Sequence, residues 1–118
     1  MDLSAVLSEI QSHPKISQAG MVLIHLGVVR SFNLKGEEVK GLELSVDEAR
    51  AEALRAEALK KPGIIEAIVR FNPGNLKVGD PIMLAAVAGQ TRGETFPALE
   101  ELVDRLKKEA TFKKEELA

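Results

Sequence analysis

Residues 20–30 read GMVLIHLGVVR, an aliphatic run interrupted only by glycine and one histidine and closed by an arginine. The run falls well short of the ~20 apolar residues a membrane-spanning helix needs. Its β-branched content instead predicts a buried strand that ends at Arg30. NLKGEE at 33–38 then supplies a glycine-containing turn, and VKGLELSV at 39–46 alternates as a returning strand would.

The flanking segments complete the pattern. DLSAVLSEIQ at 2–11 places Leu3, Val6, Leu7 and Ile10 on one helical face, and His13-Pro14 stops it. Ser45 followed by Glu48 has the spacing of a capping box and introduces DEARAEALRAEALKK, a helix by propensity that Pro62-Gly63 ends. IIEAIVRF and PIMLAAVA are two more strands, separated by the turn residues of NPGNLKVGD. Phe96, Leu99, Leu102, Val103 and Leu106 mark one face of a last helix, with Pro97 near its first turn. Helix, two strands, helix, two strands, helix predicts an α+β fold, an antiparallel or mixed sheet with three helices packed on it. No repeat or linker divides the chain, so residues 1–118 are expected as a single domain. The segment 110–118 has little apolar content and is expected as a flexible tail that orders against a partner.

Composition narrows the function. Hydrophobic residues make up 45% of the 118, yet Trp and Tyr are absent and only four Phe occur, so the core must be aliphatic. Sixteen Lys and Arg against 18 Asp and Glu leave a formal charge of −2, which argues against broad nucleic-acid binding but leaves room for a local basic pocket. With no cysteine, thiolate nucleophiles, disulfides and Cys-ligated metals are excluded. His13 and His25 are too few for a His-based metal site. No signal pattern opens the chain, and a soluble cytoplasmic protein is the expectation.

Three cations stand out on geometry. On a wheel at ~100° per residue, Lys107 falls at the edge of the apolar stripe of the last helix, beside Val103, while Lys108 points to solvent. Lys107 can lay its methylenes on the core and offer its ammonium to a cleft, or it can simply snorkel at a helix C-terminus. Arg30 ends a buried strand, where a guanidinium can grip a phosphate or carboxylate through two parallel bonds; an ion pair with Glu37 or Glu38 is the plainer reading. Arg92, in GQTRGE, follows an apolar strand and precedes a helix, a junction that suits anions. His25, mid-strand, reads as a structural imidazole, and Lys113 as a solvated tail lysine.

The same stretches carry a family resemblance. GMVLIHLGVVRS, with its Gly-x-Val-Arg ending, and VGDPIMLAAVAGQTRGETFPALEELVDRLKKEATFKKEE resemble the molybdopterin synthase large (catalytic) subunit family; the second runs without gaps from Gly79 to Glu116. The resemblance implies an α/β hammerhead-type fold and a homodimer. Each protomer would bind a small ubiquitin-like sulfur-carrier subunit, giving a heterotetramer. Sulfur would pass from the carrier's C-terminal thiocarboxylate to cyclic pyranopterin monophosphate, forming molybdopterin, with no cofactor or metal. The resemblance also implies roles for residues: Lys107 and Lys114 as catalytic lysines, and Arg30, Arg92 and Thr91 as substrate-binding positions. The chain departs from the pattern at several points. Thr91 replaces the histidine of a His-Arg pair, Phe71-Asn72 replaces an earlier such pair, Thr111-Phe112-Lys113 replaces Pro-aromatic-Trp, and Asp47 stands where many members carry Tyr. Two functions follow: a sulfurtransferase, or a non-catalytic paralogue acting as a dimeric carrier-protein or anionic-metabolite binding module. A purely structural interaction protein is the third reading.

Overall fold

A computed structural model describes residues 1–118. Helix α1 spans Leu3–Gln11, and strands β1 and β2 span Met21–Val28 and Val39–Val46. Helix α2 covers Glu48–Leu59, followed by β3 (Ile64–Phe71), β4 (Gly74–Lys77) and β5 (Pro81–Gly89). Helix α3, Arg92–Arg105, runs directly into a π-helical turn, Leu106–Ala110, and then into β6, Thr111–Leu117.

The strands form two antiparallel three-stranded sheets, ordered β1-β5-β3 and β4-β2-β6. The α+β class expected from the element order holds, with three helices. Strand β5 explains the first sheet: every residue from Ile82 to Gly89 is buried, because both its faces are covered. On one face α1 presents Val6 and Ile10 to Leu84, Ala86 and Ala88. On the other, Met83, Ala85 and Val87 join α2, α3 and the second sheet in the larger core.

Four local expectations are corrected. Strand β2 does not return along β1: β5 occupies that edge, pairing Met21 with Gly89 through Val28 with Pro81, so β2 pairs instead with β4 and β6. Residues 111–117 are not a loose tail. They form β6, whose main chain pairs with β2 from Val46–Thr111 to Val39–Leu117, and these backbone bonds need no apolar side chains. The N-cap of α2 is Asp47, whose carboxylate accepts from the Arg50 N–H at 2.9 Å, while Ser45 remains in β2 opposite Phe112. Finally, α3 begins at Arg92; Leu102, Val103 and Leu106 of the expected stripe are buried and Leu99 is half-buried, but Phe96 is exposed and Thr95 and Ala98 are buried in the first turns. Small residues face the sheet because the helix lies so close that a Cβ on Gly89 would collide with the Thr95 side chain.

The end of α3 is tied down by charge. Glu109 receives Arg105 at 2.8 Å and also Arg50 from α2, and Arg105 reaches Glu57 as well. These guanidinium hydrogen bonds hold the Glu109 carboxyl at about 2, below its ordinary value. The Thr111 hydroxyl closes the π-helical turn by donating to the carbonyls of Leu106 and Lys107, both at 3.3 Å. No helix is long and apolar enough to cross a membrane.

Candidate functional site

A cleft of about 680 Å³ opens where the end of β1 meets the second sheet. Its position follows from how β1 stops. Val29 is buried, donates its N–H to Asp80 O at 3.0 Å and accepts from Gly79 N–H at 2.7 Å, which fixes the backbone just before Arg30. The chain then turns at Asn33, whose side-chain oxygen accepts from the N–H groups of Lys35 and Glu37 at 3.0 Å each. Strand β6 closes the opposite wall. Side chains alternate along a strand, so Lys113, Glu115 and Leu117 face the cleft and Phe112, Lys114 and Glu116 do not.

Four cations, Arg30, Lys35, Lys107 and Lys113, line this cleft with two carboxylates, Glu37 and Glu115. Neither carboxylate forms an ion pair with a cation. Asn33 holds both, donating through Nδ2 to Glu37 at 3.1 Å and to Glu115 at 3.0 Å. No ion pair in the protein engages Arg30, Lys107 or Lys113. The plainer reading of Arg30, a surface pair with Glu37 or Glu38, is therefore not what this chain does. Unpaired like charges raise each other's cost of protonation. The Lys113 ammonium is held below the ordinary lysine value, first by desolvation and then by Lys107 and Arg30, with Glu115 opposing. His25 is lowered too, by burial, then Lys107, then Lys113. Beside these charges lies an apolar wall that includes Phe32, Leu34 and Leu117, all exposed. Clustered unpaired cations next to an apolar wall suit a ligand with an anionic group on a flat, weakly polar body.

The sequence-derived residues divide. Arg30 and Lys107 share the cleft. Lys114 does not: it lies on the other face of β6, directly opposite Glu43 of β2, a favourable cross-strand pair. Lys113 takes the position on the cleft, correcting the expectation that it is merely solvated. Thr91 and Arg92 sit at the far end of β5, eight residues or ~26 Å along the strand from Pro81. Thr91 is the N-cap of α3: its hydroxyl accepts from the Glu94 N–H at 3.3 Å and donates to the Glu94 carboxylate at 2.8 Å. Arg92 starts that helix, exposed and without an ion-pair partner. Sequence reasoning missed Lys113, Asn33 and Glu115. The signal was available in TFKKEEL, where strand alternation would have put Lys113 and Glu115 on one face and Lys114 on the other.

The chain is similar to known proteins along most of its length. Residues 1–109 match the family described as MoaE protein. The molybdopterin synthase catalytic subunit of Ralstonia nicotianae is 36% identical over 120 aligned residues; the alignment covers 98% of this chain and 66% of that protein. The corresponding Vibrio cholerae subunit is 33% identical, with 96% of this chain and 77% of that protein covered. Molybdopterin cofactor biosynthesis protein E from Burkholderia multivorans superposes with a TM-score of 0.78 at 30% identity, covering all of this chain and 84% of that one. The chain thus belongs to the MoaE protein family, that of the molybdopterin synthase catalytic subunits of molybdenum cofactor biosynthesis.

Proposed function

We propose that this chain is a working catalytic subunit of molybdopterin synthase, and that the Arg30–Lys107–Lys113 cleft receives the phosphate and pterin of cyclic pyranopterin monophosphate. The observation that carries this is the convergence of three unpaired cations beside an apolar wall. The thiocarboxylate tail of a small ubiquitin-like carrier would enter the same cleft, in the cytoplasm. Lys107 is positioned to stabilise the charge that develops on the thiocarboxylate as sulfur departs. Lys113, with its depressed pKa, can give up and regain a proton more readily than an ordinary lysine. Thr91 and Arg92 would contribute only from a second copy, because they lie at the opposite end of their own sheet. A homodimer is therefore part of the proposal, and Lys114 is assigned to the carrier-facing surface of β6.

One observation favours the second reading, a binding module without turnover. Thr91 occupies the family's histidine position, and its hydroxyl is committed to capping α3. The experiment mixes the purified protein with thiocarboxylated carrier and cyclic pyranopterin monophosphate and follows dithiolene formation. Product that disappears in Lys107→Ala supports the enzyme. Carrier binding without product supports the module.

A further inference from the structure

His25 lies behind the cleft rather than in it, and the proposed function leaves it unused. It sits on β1 opposite Ala85, on the face of the sheet that looks toward the larger core. Two residues on, along the same face, Gly27 forms part of the cleft wall. A Cβ placed on Gly27 would stand 3.5 Å from His25 Nε2, so only the thickness of a glycine separates the ring from the cleft. Nε2 is buried, and no protein group bonds to it. An imidazole serving a purely structural end would satisfy that nitrogen.

The two charges that act on the ring are both positive. Lys107 reaches it from the π-helical turn and Lys113 from β6. Strand β5, its neighbour, has no titratable side chain. Helix α3 also packs on β1, but its charges are directed elsewhere: Glu94 to Thr91, Glu101 to Lys61, and Arg105 to Glu57 and Glu109. Glu100, Asp104 and Arg92 are exposed. On the cleft side Glu37 and Glu115 are both held by Asn33, and the shift of His25 is caused by burial, Lys107 and Lys113.

We propose that His25 is the proton-linked partner of the cleft: neutral while the cleft holds no anion, it takes up one proton from solvent when an oxyanion settles among Arg30, Lys107 and Lys113. The proton adds to the free imidazole nitrogen, no other bond is made or broken, and the new N–H can donate toward the anion across Gly27, directly or through a water. The cause is electrostatic. The two lysines now oppose the imidazolium, and an anion beside them offsets their field. Reciprocity then requires the anion to bind more tightly when His25 is protonated. Affinity is highest below the free-state pKa of the ring, falls as pH rises through it, and levels off above the anion-bound value. The inference rests on reading the cleft as an anion site.

Sulfate is the probe, because it does not titrate near neutral pH. The ring C–H signals of His25 and His13 are followed by NMR across pH 5 to 8.5, with sulfate and with chloride at matched ionic strength. His13 is the internal control: it lies beyond α1 near Glu66, away from the cleft. The expected result is an upward move of the His25 midpoint by about one pH unit with no change at His13, and a matching loss of about tenfold in sulfate affinity between the acid and alkaline limits. His25→Gln removes that pH dependence and keeps the alkaline affinity. If sulfate perturbs the Arg30 and Lys107 signals while the His25 midpoint stays put, this inference is overturned and the anion site stands. If sulfate perturbs none of them, both fall.

Discussion

The two neighbouring tail lysines make opposite predictions. Lys113 faces the cleft beside Lys107, whereas Lys114 faces away, across from Glu43. An ammonium ~5 Å from a bound monoanion contributes roughly 0.8 kcal/mol in bulk water and roughly 3 kcal/mol at an effective dielectric of about 20. Lys113 remains exposed, so the lower half of that range applies, and Lys113→Ala should weaken binding of a singly charged phosphate diester by about fourfold to twenty-fivefold. Lys114→Ala removes a surface cross-strand pair of about 0.2–1 kcal/mol, which acts on the stability of β6 and leaves affinity within about twofold. Calorimetric titration of both variants at low salt, with thermal unfolding as a control, reads the difference. A larger affinity loss in Lys114→Ala than in Lys113→Ala would mean that the register of β6 drawn here is wrong by one residue.

Other perturbations probe what holds the cleft. Leu106 is fully buried at the start of the π-helical turn, so Leu106→Ala should cost about 2–5 kcal/mol in denaturant unfolding and loosen Lys107 with it. Gly89→Ala forces a methyl group against Thr95 and should lower stability by about 1–3 kcal/mol, seen as a reduced Tm. The Glu109 carboxyl has a folded pKa of about 2, below its unfolded value. Its contribution is therefore present above the unfolded carboxylate range and disappears as pH falls through about 2. Glu109→Gln should flatten the acid limb of the stability–pH curve, and an unchanged limb would remove the Arg50–Glu109–Arg105 link as a support of the turn.

Local pattern carried much of the architecture, and non-local pairing carried what it could not. The β5 run PIMLAAVA and the α2 segment are visible because burial on two faces and helix propensity leave marks within a few residues. Which strand lies beside β1 leaves no such mark. β2 has the alternation of a hairpin partner, but β5, more than fifty residues away, takes that edge. Arg30 could be picked out because it is the charge that closes an apolar strand, and Lys107 because it falls at the edge of an apolar helical stripe. Lys113 was hidden by treating its segment as unstructured. Once that segment is a strand, a shift of one residue exchanges Lys113 for Lys114 on the cleft face. His25 looked structural because its neighbours, Lys107 and Lys113, are remote in sequence, and only the fold brings them to it.

The most direct test is a crystal structure of the protein with cyclic pyranopterin monophosphate. The account predicts the phosphate in contact with the Arg30 guanidinium and the Lys107 ammonium, with the pterin against the Phe32 and Leu117 wall. A phosphate bound away from Arg30 and Lys107, or at the Arg92 end of β5 with no residue of this cleft near it, would contradict it.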